Sequence, residues 1–141
     1  MSGLPGARGG CLCGGVRYEV RGPLRDVVAC HCSQCRMTSG HYVAATEALN
    51  ADLILTRAST LRWYRSSARA ERGFCARCGA NLFWRRLPDD GPESGLPATS
   101  IMAGTLQAPT SLKICRHIFV ADKSDYYQIN DGLPQAAQWP D

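Results

Sequence analysis

The sequence predicts an all-β chain. Short stretches rich in β-branched and aromatic residues recur along it, glycine, proline and small polar residues separate them, and one stretch alone combines clear start and stop signals for a helix. At 141 residues, with 45% hydrophobic and 20% charged, the chain suits one folded domain and disfavours wholesale disorder or a fibrous repeat. That domain is expected over residues 6–128, followed by a C-terminal tail over 129–141.

Expected strands cover residues 16–20, 41–46, 53–56, 60–64, 81–84, 99–104 and 113–120. In the first, Val16, Tyr18 and Val20 alternate with Arg17 and Glu19, the pattern of a strand with one buried face. Residues 33–39 suit a short helix, with Ser33 placed to cap its first turn and Gly40 to end it. A weaker helical turn falls over 48–52. Residues 88–97, with Asp89-Asp90-Gly91-Pro92, read as an exposed loop, and residues 134–141 carry little that would build a core. No internal repeat or low-complexity tract stands out.

No apolar stretch is long enough to cross a bilayer, and residues 1–10 are glycine-rich without the basic-then-hydrophobic order of a secretory signal. The expected location is therefore cytoplasmic, where thiols stay reduced, and eight cysteines there point to metal rather than to disulfides. The formal charge of +4 invites a nucleic-acid partner. Seven thiolates and two zinc ions would bring it to about +1, which removes most of that argument.

The cysteines form three clusters and a singleton: Cys11 with Cys13, then Cys30, Cys32 and Cys35, then Cys75 with Cys78, and Cys115 alone. Cys75 and Cys78 bracket two residues, and Gly79 follows where a tight turn calls for positive φ, as in a zinc knuckle. Cys11 and Cys13, two apart, share one face of an extended segment and supply the other half of a four-thiolate site. Such a closed site is structural and contributes folding free energy on the order of 10 kcal/mol. Cys30, Cys32 and Cys35 have no fourth cysteine nearby. Three ligands and one open position are the pattern of a catalytic zinc. A mixed arrangement, or His31 or His41 as a further ligand, stays open at this point.

Three segments resemble the signature blocks of the glutathione-dependent formaldehyde-activating family: Gly10-Cys11-Leu12-Cys13-Gly14-Gly15-Val16-Arg17-Tyr18, Cys30-His31-Cys32-Ser33-Gln34-Cys35-Arg36, and Phe74-Cys75-Ala76-Arg77-Cys78-Gly79-Ala80-Asn81-Leu82. Gly104-Thr105-Leu106, His117-Ile118-Phe119-Val120 and Asp131-Gly132-Leu133-Pro134 resemble its later blocks. The resemblance implies a β-tent zinc fold with several short antiparallel sheets, a structural zinc on Cys11, Cys13, Cys75 and Cys78, and a catalytic zinc on Cys30, Cys32 and Cys35. It also implies a carbon-sulfur lyase that joins glutathione to formaldehyde, as an S-(hydroxymethyl)glutathione synthase does. The alternative is a non-catalytic zinc scaffold for protein or nucleic acid, which would call for a basic or low-complexity extension that this sequence does not show.

For the enzyme, a zinc held by three thiolates suits delivery of a bound thiolate better than strong carbonyl polarisation. Glutathione is an anion, and Arg36, beside the middle cluster, is the candidate substrate contact. Arg62, Arg65, Arg69, Arg72 and Arg77 read mainly as solvated surface. His31 is expected either to shuttle a proton between ligating cysteines or to point outward, His41 and His117 to be structural, and Cys115 to be a free core thiol. Trp63, Tyr64, Phe83, Trp84, Tyr126 and Tyr127 are expected as core or cleft wall, with no signal for which would stack on a ligand.

Overall fold

A computed structural model of the chain describes residues 6–88 and 97–140. Most of the expected loop over 88–97 lies outside those residues. The described chain is all-β with little helix, as the sequence predicts. Its strands are β1 (Ala7–Gly10), β2 (Val16–Val20), β3 (Val27–Cys30), β4 (Val43–Leu49), β5 (Leu53–Ala58), β6 (Leu61–Ser67), β7 (Ala70–Cys75), β8 (Asn81–Arg86), β9 (Ala98–Met102) and β10 (Ile114–Ile118). They make two sheets: a three-stranded one in the order β1-β2-β5, and a seven-stranded one in the order β10-β3-β4-β9-β8-β7-β6.

All strand pairs are antiparallel except β3 with β10, where Ala29 faces His117 and Cys30 faces Ile118 in parallel register. Strands β1, β3 and β7 lie outside the sequence expectation. Each is poor in the alternation that marks a strand, and each is made one by the ladder of its neighbours. Residues 134–138 run beside β10: His117 N–H donates to Pro134 O at 2.9 Å and Ala136 N–H to His117 O at 3.0 Å.

The core sits where the sheets meet. Val16, Tyr18 and Val20 are almost fully buried, as their alternation predicts, with Leu24, Leu82, Phe83 and Ile101 against them. Tyr18 and Phe83 pack edge to face with centroids 5.4 Å apart, and the Tyr18 hydroxyl is hydrogen bonded to Thr105 Oγ1 at 2.7 Å.

The helix, α1 (Ser33–Ser39), has the expected span, and Gly40 ends it with φ 84° and an N–H bond to Arg36 O. Its cap differs from expectation. Cys32, not Ser33, is the N-cap, and its sulfur accepts from Cys35 N–H at 3.3 Å. The weak turn expected at 48–52 is a single 3₁₀ turn over Asn50–Asp52.

Candidate metal centres

Both cysteine clusters form where strands end. β1 stops at Gly10, so Cys11 and Cys13 occupy the turn into β2, and β7 ends at Cys75, so Cys75 and Cys78 occupy the turn into β8. The Cys75-to-Cys78 turn closes with Gly79 at φ 79° and its N–H bonded to Cys75 O at 2.8 Å, the backbone that the knuckle spacing anticipates. The four sulfurs all lie within 4.8 Å of one another. Val16 N–H donates to Cys11 Sγ at 3.2 Å, Cys78 N–H to Cys75 Sγ at 3.4 Å, and Arg77 Nε to Cys13 Sγ at 3.2 Å.

These donors favour the charged form of sulfur. The Thr60 hydroxyl 3.2 Å from its sulfur leads the effects that pull Cys75 down to about 5, and the Gly15 amide followed by Arg77 lowers Cys13. Burial acts the other way on Cys11 and raises it. All eight cysteines are free thiols. A convergent, donor-supported set of four sulfurs fits a tetrahedral ion such as zinc.

The second cluster sits at the junction of β3 and α1. Cys30 ends β3, Cys32 caps the helix, and Cys35 lies one turn on, which brings their three sulfurs within 4.8 Å of one another. The sulfurs act on one another. Contact with Cys30 and then Cys35 lowers Cys32 well below an ordinary thiol, while contact with Cys32 and Cys35 raises Cys30. This donor set also could hold a metal ion.

Arg72 lies on β7, three residues before Cys75, so one strand serves both clusters. It is 5% exposed, and its Nη2 faces Cys35 Sγ at 3.8 Å and Gln34 Oε1 at 3.5 Å. Its Nε and Nη1 are buried without a hydrogen-bond partner. Isolated buried charge is expensive, so the guanidinium belongs with compensating negative charge on the sulfurs. From the sequence, Arg72 is expected on the surface. A cavity of about 390 Å³ opens beside the triad, and Cys30, Cys32, Cys35 and Arg72 all line it.

Arg36, the expected substrate contact, is half-buried, and its Nε donates to Asp122 O at 2.9 Å. Asp122 lines the cavity, whereas among the described residues the arginines on its wall are Arg25 and Arg72.

His31 is fully buried, and its ring takes contacts away from the sulfurs. Nδ1 meets the Tyr127 hydroxyl, and Nε2 lies 2.9 Å from His117 Nδ1. His117 Nε2 in turn reaches Asp131 Oδ2 at 2.7 Å. Burial, then the neighbouring His117, push His31 down to about 4. Its position between Cys30 and Cys32 therefore makes it an anchor for the loop that carries these thiols, with His31 N–H also bonded to Ile118 O. The His41 ring meets the Tyr126 hydroxyl at 2.7 Å, and Cys115 is a half-buried free thiol on β10.

Fold and site together define an all-β protein with two thiol clusters, each able to bind a metal ion such as zinc. The family model described as glutathione-dependent formaldehyde-activating enzyme matches residues 6–122, and the chain belongs to that family. No helix among the described residues is long and apolar enough to cross a membrane.

Proposed function

We propose that this chain is a zinc-dependent carbon-sulfur lyase that adds a thiol, glutathione in the first instance, to formaldehyde or a related aldehyde, and catalyses the reverse. One observation carries the reading: three mutually close sulfurs line a cavity large enough for a small molecule, while four others form a separate cluster in two turns. Cys11, Cys13, Cys75 and Cys78 would hold a structural zinc, and Cys30, Cys32 and Cys35 a catalytic one. Zinc bound by three thiolates supplies a Lewis-acid position that keeps a small thiol deprotonated.

The chain's own residues do the rest. Arg72 balances negative charge at Cys35, and the Cys35 amide steadies the sulfur of Cys32. The His31 ring, pinned by Tyr127 and His117, fixes the backbone between the first two thiols. Trp84, Val43 and Met102 pack against the cluster and keep water from its inner side. Arg36, outside the wall but joined to it through Asp122, is placed to meet a carboxylate of glutathione at the rim. We also read the two sheets as the β-tent implied by the family resemblance.

The test is direct. Zinc-loaded protein mixed with glutathione and formaldehyde should accelerate hemithioacetal exchange followed by NMR, and exchange no faster than in buffer would remove the proposal. Native mass spectrometry should count two zinc ions per chain.

A further inference from the structure

Formaldehyde has no substituent, yet the cavity beside the triad carries an extended apolar wall. Val43 and Met102 are buried in the same apolar cluster as Cys35, and Trp84 packs on that cluster beside Cys30 and Cys32. Phe119 and Trp139 line the same cavity. Phe119 stands at φ 56° and ψ 37°, in the left-handed region that a bulky side chain rarely adopts. Its N–H bond to Gln138 O at 3.2 Å and the edge of Trp139, with centroids 5.0 Å apart, hold it there. Trp139 itself is 64% exposed, a large apolar surface kept in water beside the cavity.

Each cation on the wall already faces a protein group. Arg25 donates to Ala45 O at 3.1 Å and pairs with Glu47 at 3.5 Å. Arg72 directs Nη2 to Cys35 and Gln34, and its other two nitrogens are closed to solvent. The wall thus offers a substituent apolar contact, with the buried Arg72 turned toward the sulfur of Cys35.

We propose that the electrophile of this site is an aldehyde bearing an aromatic or branched apolar substituent, which the wall formed by Trp84, Met102, Phe119 and Trp139 receives. This rests on the thiol-addition reading above. In the step, the thiol S–H bond breaks, sulfur bonds to the carbonyl carbon, and the carbonyl π pair takes the proton, giving a hemithioacetal without oxidant or reductant. An apolar pocket discriminates between substituents by roughly tenfold or more when they differ by a group it can bury.

The experiment compares phenylacetaldehyde with formaldehyde, each with glutathione and zinc-loaded protein, as acceleration of hemithioacetal exchange over buffer by NMR. Acceleration about tenfold or more larger for phenylacetaldehyde is expected. Because its side chain is largely exposed, Trp139→Ala should leave the protein folded and bring the two accelerations closer together. Faster exchange for formaldehyde alone, or equal acceleration of both, overturns the inference and leaves the lyase reading standing. No acceleration of either removes both. A preference for phenylacetaldehyde that Trp139→Ala leaves intact overturns the assignment to this wall. Tryptophan emission titrated with 2-phenylethanol and with ethanol reads binding apart from turnover. Quenching at lower concentration by the aromatic alcohol supports the inference, and equal midpoints contradict it.

Discussion

The guanidinium of Arg72 and the sulfur of Cys35 are 37 positions apart in sequence and in contact in the fold. Nothing local distinguishes Arg72 from Arg62, Arg65, Arg69 or Arg77, and this is why it reads as surface in the sequence and only the register of β7 reveals it. The cysteines behave differently, because each cluster declares itself by spacing within a few residues. Replacing Arg72 by Met should weaken metal binding at the triad by about 10- to 100-fold while leaving the four-thiol ion bound, with Arg72→Lys intermediate. Competition with a chromophoric chelator would show one weakened ion per chain, and two unchanged ions would contradict the role given to Arg72. Asp131 offers a pH test. The hydrogen bond from His117, then that from the Leu133 amide, hold its carboxyl below the ordinary 3.8. As pH falls below 3.8, the unfolded chain takes up the proton first, so this contribution is present above that value and fades as pH drops through the folded one. The difference in Tm between the native protein and Asp131→Asn should therefore be largest above pH 3.8 and close below it.

Elements were legible in proportion to their own patterning. Strand β2 and helix α1 have their expected spans because alternation marks the first and Gly40 the end of the second. Strand β1 reads Ala-Arg-Gly-Gly and β7 reads Ala-Glu-Arg-Gly-Phe-Cys. Neither has a run of β-formers, and their partners β2, β6 and β8 impose the extended form. Strand β7 carries both Arg72 and Cys75, so the link between the clusters is visible only once that strand is formed. The Cys75-to-Cys78 turn gives a test at this scale. Gly79 at φ 79° meets nothing within 4 Å where a Cβ would stand, so Gly79→Ala incurs backbone strain without a clash. A loss of about 1 kcal/mol in stability is expected by denaturant titration, with both metal ions retained. A loss near zero would mean that the turn relaxes.

Across the whole molecule, the two clusters should divide stability from turnover. The four-thiol cluster ties the β1–β2 turn to the β7–β8 turn, and hence one sheet to the other, so its ion should supply folding energy. Cys78→Ala should leave the chain largely unfolded by circular dichroism. Cys32→Ala should keep the fold, with one ion and no accelerated exchange; equal unfolding of both would contradict the division. The all-β class could be read from the sequence because turn residues recur between strand formers. The grouping into two sheets could not, because β3 pairs with β10 across all the intervening strands and no local signal encodes that contact.

That parallel pairing bears on how the protein is made. Cys30, Cys32 and Cys35 leave the ribosome well before residues 114–139, which complete their sheet edge, fasten His31 through Ile118 and His117, and supply Phe119 and Trp139 to the cavity. During that interval a nascent chain presents three adjacent thiols without their finished shelter. Translation pausing between β9 and β10 would prolong their exposure to peroxide and promote adventitious cross-linking.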